Sequence, residues 1–140
     1  MAIFRHGKSS DYLTHFHAAH GDGWAVLAWD VKGAEPREVA VFRSLDAFAD
    51  ESADPIADAR QTLVHQGVEN HSHVQDAGLI DGVDYYYSVF AMGDDGDWHE
   101  QLKTKVKPKD DTHWKSHEVS EPSESMKTFE TLRHGATYGR

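Results

Sequence analysis

Between residues 12 and 108 the apolar residues fall in short runs broken by glycine- and aspartate-rich stretches. Phe16–Ala19 leads into Gly21-Asp22-Gly23, and Trp24–Trp29 is an apolar run too short for a typical helix. Glu38–Arg43 is β-rich, Gln61–His65 ends at Gly67, and His71–Gln75 alternates. Tyr85–Met92 is the strongest strand signal, bounded by Asp81-Gly82 and by Gly93–Gly96, and Trp98–Val106 closes the series. These seven runs, with no helical period between them, predict an all-β sandwich and argue against a parallel α/β sheet.

The flanks read differently. Residues 1–11 have the pattern of an arm, and from 109 to 140 the chain is polar with isolated Trp114, Met126, Phe129 and Leu132. Residues 123–133 fit one short helix carrying Met126, Phe129 and Leu132 on one side. The acidic insert 45–59, which contains Pro55, reads as a solvated loop with at most a helical turn. Its carboxylates lack the spacing and the glycine of an EF-hand.

The stretch Gly78-Leu79-Ile80-Asp81-Gly82-Val83-Asp84-Tyr85 resembles the turn into the sixth strand of fibronectin type III domains, where Leu, Gly and Tyr recur at this spacing. Gly21–Trp29 resembles that family's second strand, and Val39–Ser44 its third. Asp81, Val83 and the insert depart from the family pattern. The resemblance implies a seven-stranded immunoglobulin-like sandwich over 12–108, with terminal arms at 1–11 and 109–140. It also implies a tyrosine corner at Tyr85.

Strand alternation then divides the faces. Phe16, Ala18, Ala25, Leu27, Trp29, Val39, Val41, Val74, Leu79, Tyr85, Tyr87, Val89 and Ala91 are expected inside. Ala40, Phe42, Tyr86, Phe90 and Met92 are expected on the outer face of one sheet, and Trp24, Val26 and Ala28 on that of the other. Outer positions of a solvated sandwich are usually polar, so these apolar faces need a cover: the chain's own arms, or a partner. Phe42, Tyr86, Phe90, Met92, Trp24, Val26, Trp114 and Phe129 are therefore the candidate partner-binding residues.

Composition narrows the function. The 140 residues suffice for one domain with tails. There is no cysteine, which removes disulfides, thiol catalysis and cysteine-bound zinc. No signal-like or membrane-spanning apolar run occurs, so cytoplasmic synthesis, followed by incorporation into a virion, is the expected localisation. Net charge is −10, with 24 acidic and 14 basic residues, the latter dispersed apart from a modest cluster at Lys103–Lys109; nucleic acid is not an expected partner.

Two motifs suggest chemistry. Arg5-His6-Gly7, echoed by Arg133-His134-Gly135, resembles the signature that opens the histidine phosphatases, in which the histidine accepts a phosphoryl group. That family needs an α/β sheet and further arginines, and an all-β pattern follows here. Among eleven histidines, His15 with His17 and His71 with His73 form i, i+2 pairs on single strand faces. With the second strand between them, the pairs would lie roughly 9.5 Å apart, too far for an easy four-ligand zinc site. No catalytic residue, metal or cofactor is expected. The sequence reading is a non-catalytic assembly protein contacting identical or neighbouring subunits, in the manner of a bacteriophage capsid-decoration or tail component. The alternative is an accessory module that stacks carbohydrate on Trp24, Trp98 and Trp114.

Overall fold

The structure, a computed structural model, describes residues 3–6, 12–33, 35–49, 54–68, 73–110 and 113–117; for Val68 and 113–117 it describes the backbone alone. Among the described residues nine strands follow in order: β1 (Phe4–Arg5), β2 (Leu13–Gly21), β3 (Trp24–Val31), β4 (Glu38–Ser44), β5 (Thr62–Val68), β6 (His73–Ala77), β7 (Tyr85–Met92), β8 (Trp98–Val106) and β9 (His113–His117). They form a five-stranded sheet, β1-β8-β7-β4-β5, and a four-stranded sheet, β6-β3-β2-β9. Seven of them, β2 to β8, answer to the expected strands. Each sheet carries one more: β1 runs parallel to the outer edge of β8, and β9 runs antiparallel to β2. The arms thus contribute strands of their own, and the C-terminal boundary drawn near residue 108 cuts off β9. The expected helix at 123–133 lies outside the described residues.

The sheets pack through their inner faces. Every residue expected inside belongs to one buried cluster, to which the structure adds Leu13 and Val106. Trp29 and Tyr87 are its largest members, and each fully buried large side chain is worth about 1.5–3 kcal/mol in transfer free energy.

The turns are chemically specified. Asp22-Gly23 joins β2 to β3, with Gly23 at φ +77°, a conformation that favours glycine. A Cβ at Gly21 would collide with the Trp24 indole. The Gly23 N–H donates to Asp81 (2.8 Å) and the Gly23 carbonyl accepts from the Leu79 N–H (2.9 Å), which ties this hairpin to the loop before β7. In that loop the Ile80 N–H donates to the Tyr85 hydroxyl at 2.9 Å, which forms the implied tyrosine corner.

Three bulges alter the simple alternation, one of them in β5, where Val64 is the extra residue between the partners of Val41 and Phe42. In β2 the register with β3 shifts between Thr14 and His17, and His15 takes φ +55°. In β8 the register with β7 shifts so that Val89 faces Leu102 and Phe90 faces Glu100, leaving Gln101 as the extra residue. Gln101 is buried. Its carbonyl accepts from the N–H groups of Tyr12 and Leu13, both at 2.9 Å, and its amide donates to the carbonyls of His99 and Glu100. One displaced side chain thus fastens the start of β2 to the opposite sheet.

Candidate functional site

The outer face of the five-stranded sheet is the first place to look for a partner site. Its apolar residues point outward as expected, but they are not exposed. Phe42 is 1% accessible and Phe90 is 0%. With Ala40 they form a second cluster with Phe4, Ala49 and Trp98, and Met92 packs against it half-buried. The cover is the chain itself, one of the two covers the sequence allowed, so the partner-binding role expected of Phe42 and Phe90 is corrected.

One half of the cover is the N-terminal arm. Phe4 stacks on Trp98 with ring centroids 5.7 Å apart, and meets Phe90 and Phe42 edge-on at 5.1 and 6.0 Å. Such geometries add to the burial of the rings. The arm is held in place by polar contacts. The Trp98 N–H donates to the Ile3 carbonyl (2.8 Å), and the Ile3 N–H donates to Asp97. The Arg5 guanidinium binds the other Asp97 oxygen through Nε and Nη2, the shorter contact being 2.6 Å.

The other half comes from the insert. Its acidic composition suggested a solvated loop, but it turns Phe48 and Ala49 onto the sheet. Ala49 is fully buried and its N–H donates to the Ser88 hydroxyl at 2.8 Å; Pro55 is fully buried as well. Phe48 meets the half-buried Tyr86 edge-on at 5.1 Å, with Lys103 above the Phe48 ring and Lys105 above that of Tyr86. The Ser44 hydroxyl accepts from the Asp46 and Ala47 N–H groups, and the Gln61 amide donates to the Ala47 carbonyl. Both ends of the insert are thereby tied to the sheet.

On the four-stranded sheet Val26 is buried with Ala19, and Trp24 packs half-buried against them. Ala28 and His17 on this face are buried too. The backbone of Trp114 lies opposite Ala19 in β9; its side chain, like all of Phe129, lies outside the described residues. Trp98, the second tryptophan of the carbohydrate reading, is buried beneath Phe4 and offers no open face.

The residues with chemical potential are placed as follows. Arg5 is committed to Asp97. His6 lies edge-on to Phe90 (5.6 Å), with Nδ1 4.0 Å from Glu100; Gly7 and His134 fall outside the described residues. His15 Nδ1 stands 3.7 Å from Asp30, and His71 is outside the described residues. Among the described residues no group of three His, Asp or Glu side chains is arranged to hold a metal ion. Buried His99 contacts the Asp95 carboxylate at 2.9 Å. The Asp97 N–H bond, and secondarily His99, hold the Asp95 carboxyl below its ordinary range. At the opposite end, Asp22 is pushed up by a shared hydrogen bond with Asp81 and by the charges of Asp81 and Asp110.

Sequence reading missed a polar knot between the sheets. Asp76 points inward from β6 and accepts from Arg43 Nη1 at 2.8 and 2.9 Å and from the Tyr87 hydroxyl at 2.7 Å. Burial, and then the bond to Asp76, drive the Tyr87 hydroxyl pKa far above the usual tyrosine range. The three residues complete one another, so this is a structural network rather than a reactive centre.

What stays open is an edge. β5 ends the five-stranded sheet and has no strand on its outer side among the described residues. Leu63 on β5 is 45% accessible, and Leu45 and Ile56, in the insert that leads to β5, are 61% and 62% accessible.

A two-sheet sandwich with β2-β3-β6 against β5-β4-β7-β8, closed by a tyrosine corner, can be matched to known architectures. A fibronectin type III domain from a human protein, solved in solution, superposes with a TM-score of 0.51 at 14% identity, over 81% of this chain and 86% of its own. The chain has a fibronectin type III-like fold. A pectate lyase from Pectobacterium carotovorum matches with a TM-score of 0.49 at 14% identity, over 76% of this chain and 27% of the enzyme, so the chain spans about a quarter of that protein. No family model and no curated protein matches the sequence. Relative to β2–β8, the fibronectin-type sandwich of this chain is distinguished by β1, β9 and the apolar residues of its insert.

Proposed function

We propose that this protein is a non-catalytic assembly module that works through protein–protein contacts, in the role of a bacteriophage capsid-decoration or tail component. The observation that carries the reading is a group of three exposed apolar residues beside one sheet edge, apart from Ile3 and Ile80, which are exposed elsewhere. Leu45, Ile56 and Leu63 are on β5 or in the insert leading into it, beside the open edge of the five-stranded sheet. Contact therefore runs through this edge and its insert, because the apolar face that the sequence suggested is occupied by Phe4 and Ala49. The virion setting rests on fold analogy.

The polar side chains support a non-catalytic role. Arg5 is bound to Asp97, and Asp76 is satisfied by Arg43 and Tyr87. Burial of Trp98 removes one of the platforms on which a carbohydrate reading depended. The test is capture from lysate or purified virions with the wild type and with a Leu45→Asp, Ile56→Asp double variant. Defined subunits retained by the wild type and lost by the variant support the reading. Saturable sugar binding that depends on Trp24, or phosphate-ester turnover that depends on His6, contradicts it.

A further inference from the structure

We infer that the cavity between β2 and the end of β8 binds a compact oxyanion of phosphate type, held by Lys105, Lys107 and Lys109. The inference is independent of the assembly reading above.

The stretch Leu102-Lys103-Thr104-Lys105-Val106-Lys107-Pro108-Lys109 places lysine at every second position and holds no carboxylate, in a chain with 24 acidic and 14 basic residues. Alternation along an extended chain sends such side chains to one side. The burial follows that rule past the end of the strand: Thr104, Val106 and Pro108 are buried, and the four lysines are exposed. The last three lysines share a place. They line a cavity of about 210 Å³, with His20 beside them and with Ala18, Ala19 and Val106 as its apolar wall.

Positive charge is in excess there. Elsewhere the cations meet carboxylates closely: Arg5, Arg43 and Arg60 do so at 2.6, 2.8 and 2.9 Å. Lys107 stands 4.0 Å from Asp84, at the far limit of an ion pair, and Lys105 lies above the Tyr86 ring, 5.8 Å from its centroid. Lys109 makes no ion pair among the described residues. Two carboxylates adjoin the site, Asp84 opposite Lys107 and Asp110 after Lys109 in the chain. Asp110 also acts on the Asp22 and Asp81 pair, where crowding pushes the Asp22 carboxyl up. Three ammonium groups outnumber these two carboxylates, and an anion in the cavity restores the balance.

Size and charge fix the ligand class. The cavity is smaller than the roughly 300–1,000 Å³ of pockets for drug-sized ligands, so the anion is compact. Lysine binds anions as a point charge with three donors and lacks the planar fork with which arginine reads a carboxylate. A tetrahedral oxyanion presents acceptors in every direction and suits three such groups. A long polyanion would run beyond the lysines onto a surface of net charge −10.

The experiment is an amide NMR titration of the isotope-labelled full-length protein with inorganic phosphate, set against chloride at equal ionic strength. Phosphate should shift the amides of Ala18–His20 and Lys105–Lys109 saturably, with half-saturation at about 1–5 mM. The double substitution Lys107→Gln, Lys109→Gln should weaken binding about tenfold. Both side chains are exposed and follow β8, so the fold is kept. Lys32→Gln removes one positive charge at the other end of the β2–β3 pair and should leave the affinity within about twofold of the wild type. Shifts that chloride reproduces, or that fail to saturate by about 50 mM, overturn the inference. So does phosphate binding that survives the double substitution or is lost equally in Lys32→Gln. Capture of other subunits through Leu45 and Ile56 is a separate readout, so the two proposals stand or fall apart.

Discussion

Single residues set the limits of this sandwich, beginning with Phe4. It fills the space between Phe42, Phe90 and Trp98, so Phe4→Ala should cost about 3 kcal/mol in urea unfolding and shift Trp98 emission to the red. Tyr85→Phe leaves the Ile80 N–H without its acceptor and should cost about 1 kcal/mol. Tyr87 gives a pH signature. Its hydroxyl is held protonated by burial and by Asp76, whereas in the unfolded chain it ionises near its ordinary value of 10.0. The raised folded pKa means that the stabilisation is fully present below pH 10.0 and is lost as pH rises beyond it. Stability should fall by about 1.4 kcal/mol per pH unit from that source, and Tyr87→Phe should remove this part of the slope in alkaline unfolding curves.

At the scale of elements, the strands were legible wherever period and turn chemistry agreed. Trp24–Val31 and Tyr85–Met92 are mostly apolar runs, each entered shortly after an Asp-Gly turn, and their inner faces match the sequence reading residue for residue. The outward direction of Phe42 and Phe90 was legible as well, and so were the arms as one candidate cover, but not which residues provide it. Phe4 lies in a two-residue strand too short to show a period, and it finds its place only through β8, more than ninety residues away. Ala49 and Pro55 stand in an acidic stretch whose composition hides them. Gln101 and Asp76 escaped for related reasons. A bulge cannot be seen without the partner strand, and Asp76 is tolerable inside only because Arg43 and Tyr87 arrive from other strands. The open β5 edge depends on which strand ends the sheet, a property of topology rather than of local pattern. Deletion of residues 1–6 should leave β2–β8 folded while exposing the second cluster, seen as increased binding of a hydrophobic dye with little loss of β signal in circular dichroism.

For the whole molecule, acidity and assembly work against each other. With a net charge of −10 spread over a small sandwich, salt should favour self-association by screening, since the Debye length shrinks to about 3 Å at 1 M. Any self-association should therefore tighten as ionic strength rises, as measured by sedimentation. An interface built on opposite charges would show the reverse. The fibronectin-type sandwich thus has one sheet face sealed by its own arm and insert, and among the described residues β5 has no strand on its outer side. Strand-resolved amide hydrogen exchange, at low concentration and in the assembled state, tests that account most directly. The account predicts that assembly slows exchange in β5 while β7, already paired on both sides by β4 and β8, stays unchanged. Slowing confined to β1 and β8, with β5 unaffected, would contradict it and place the contact at the arm.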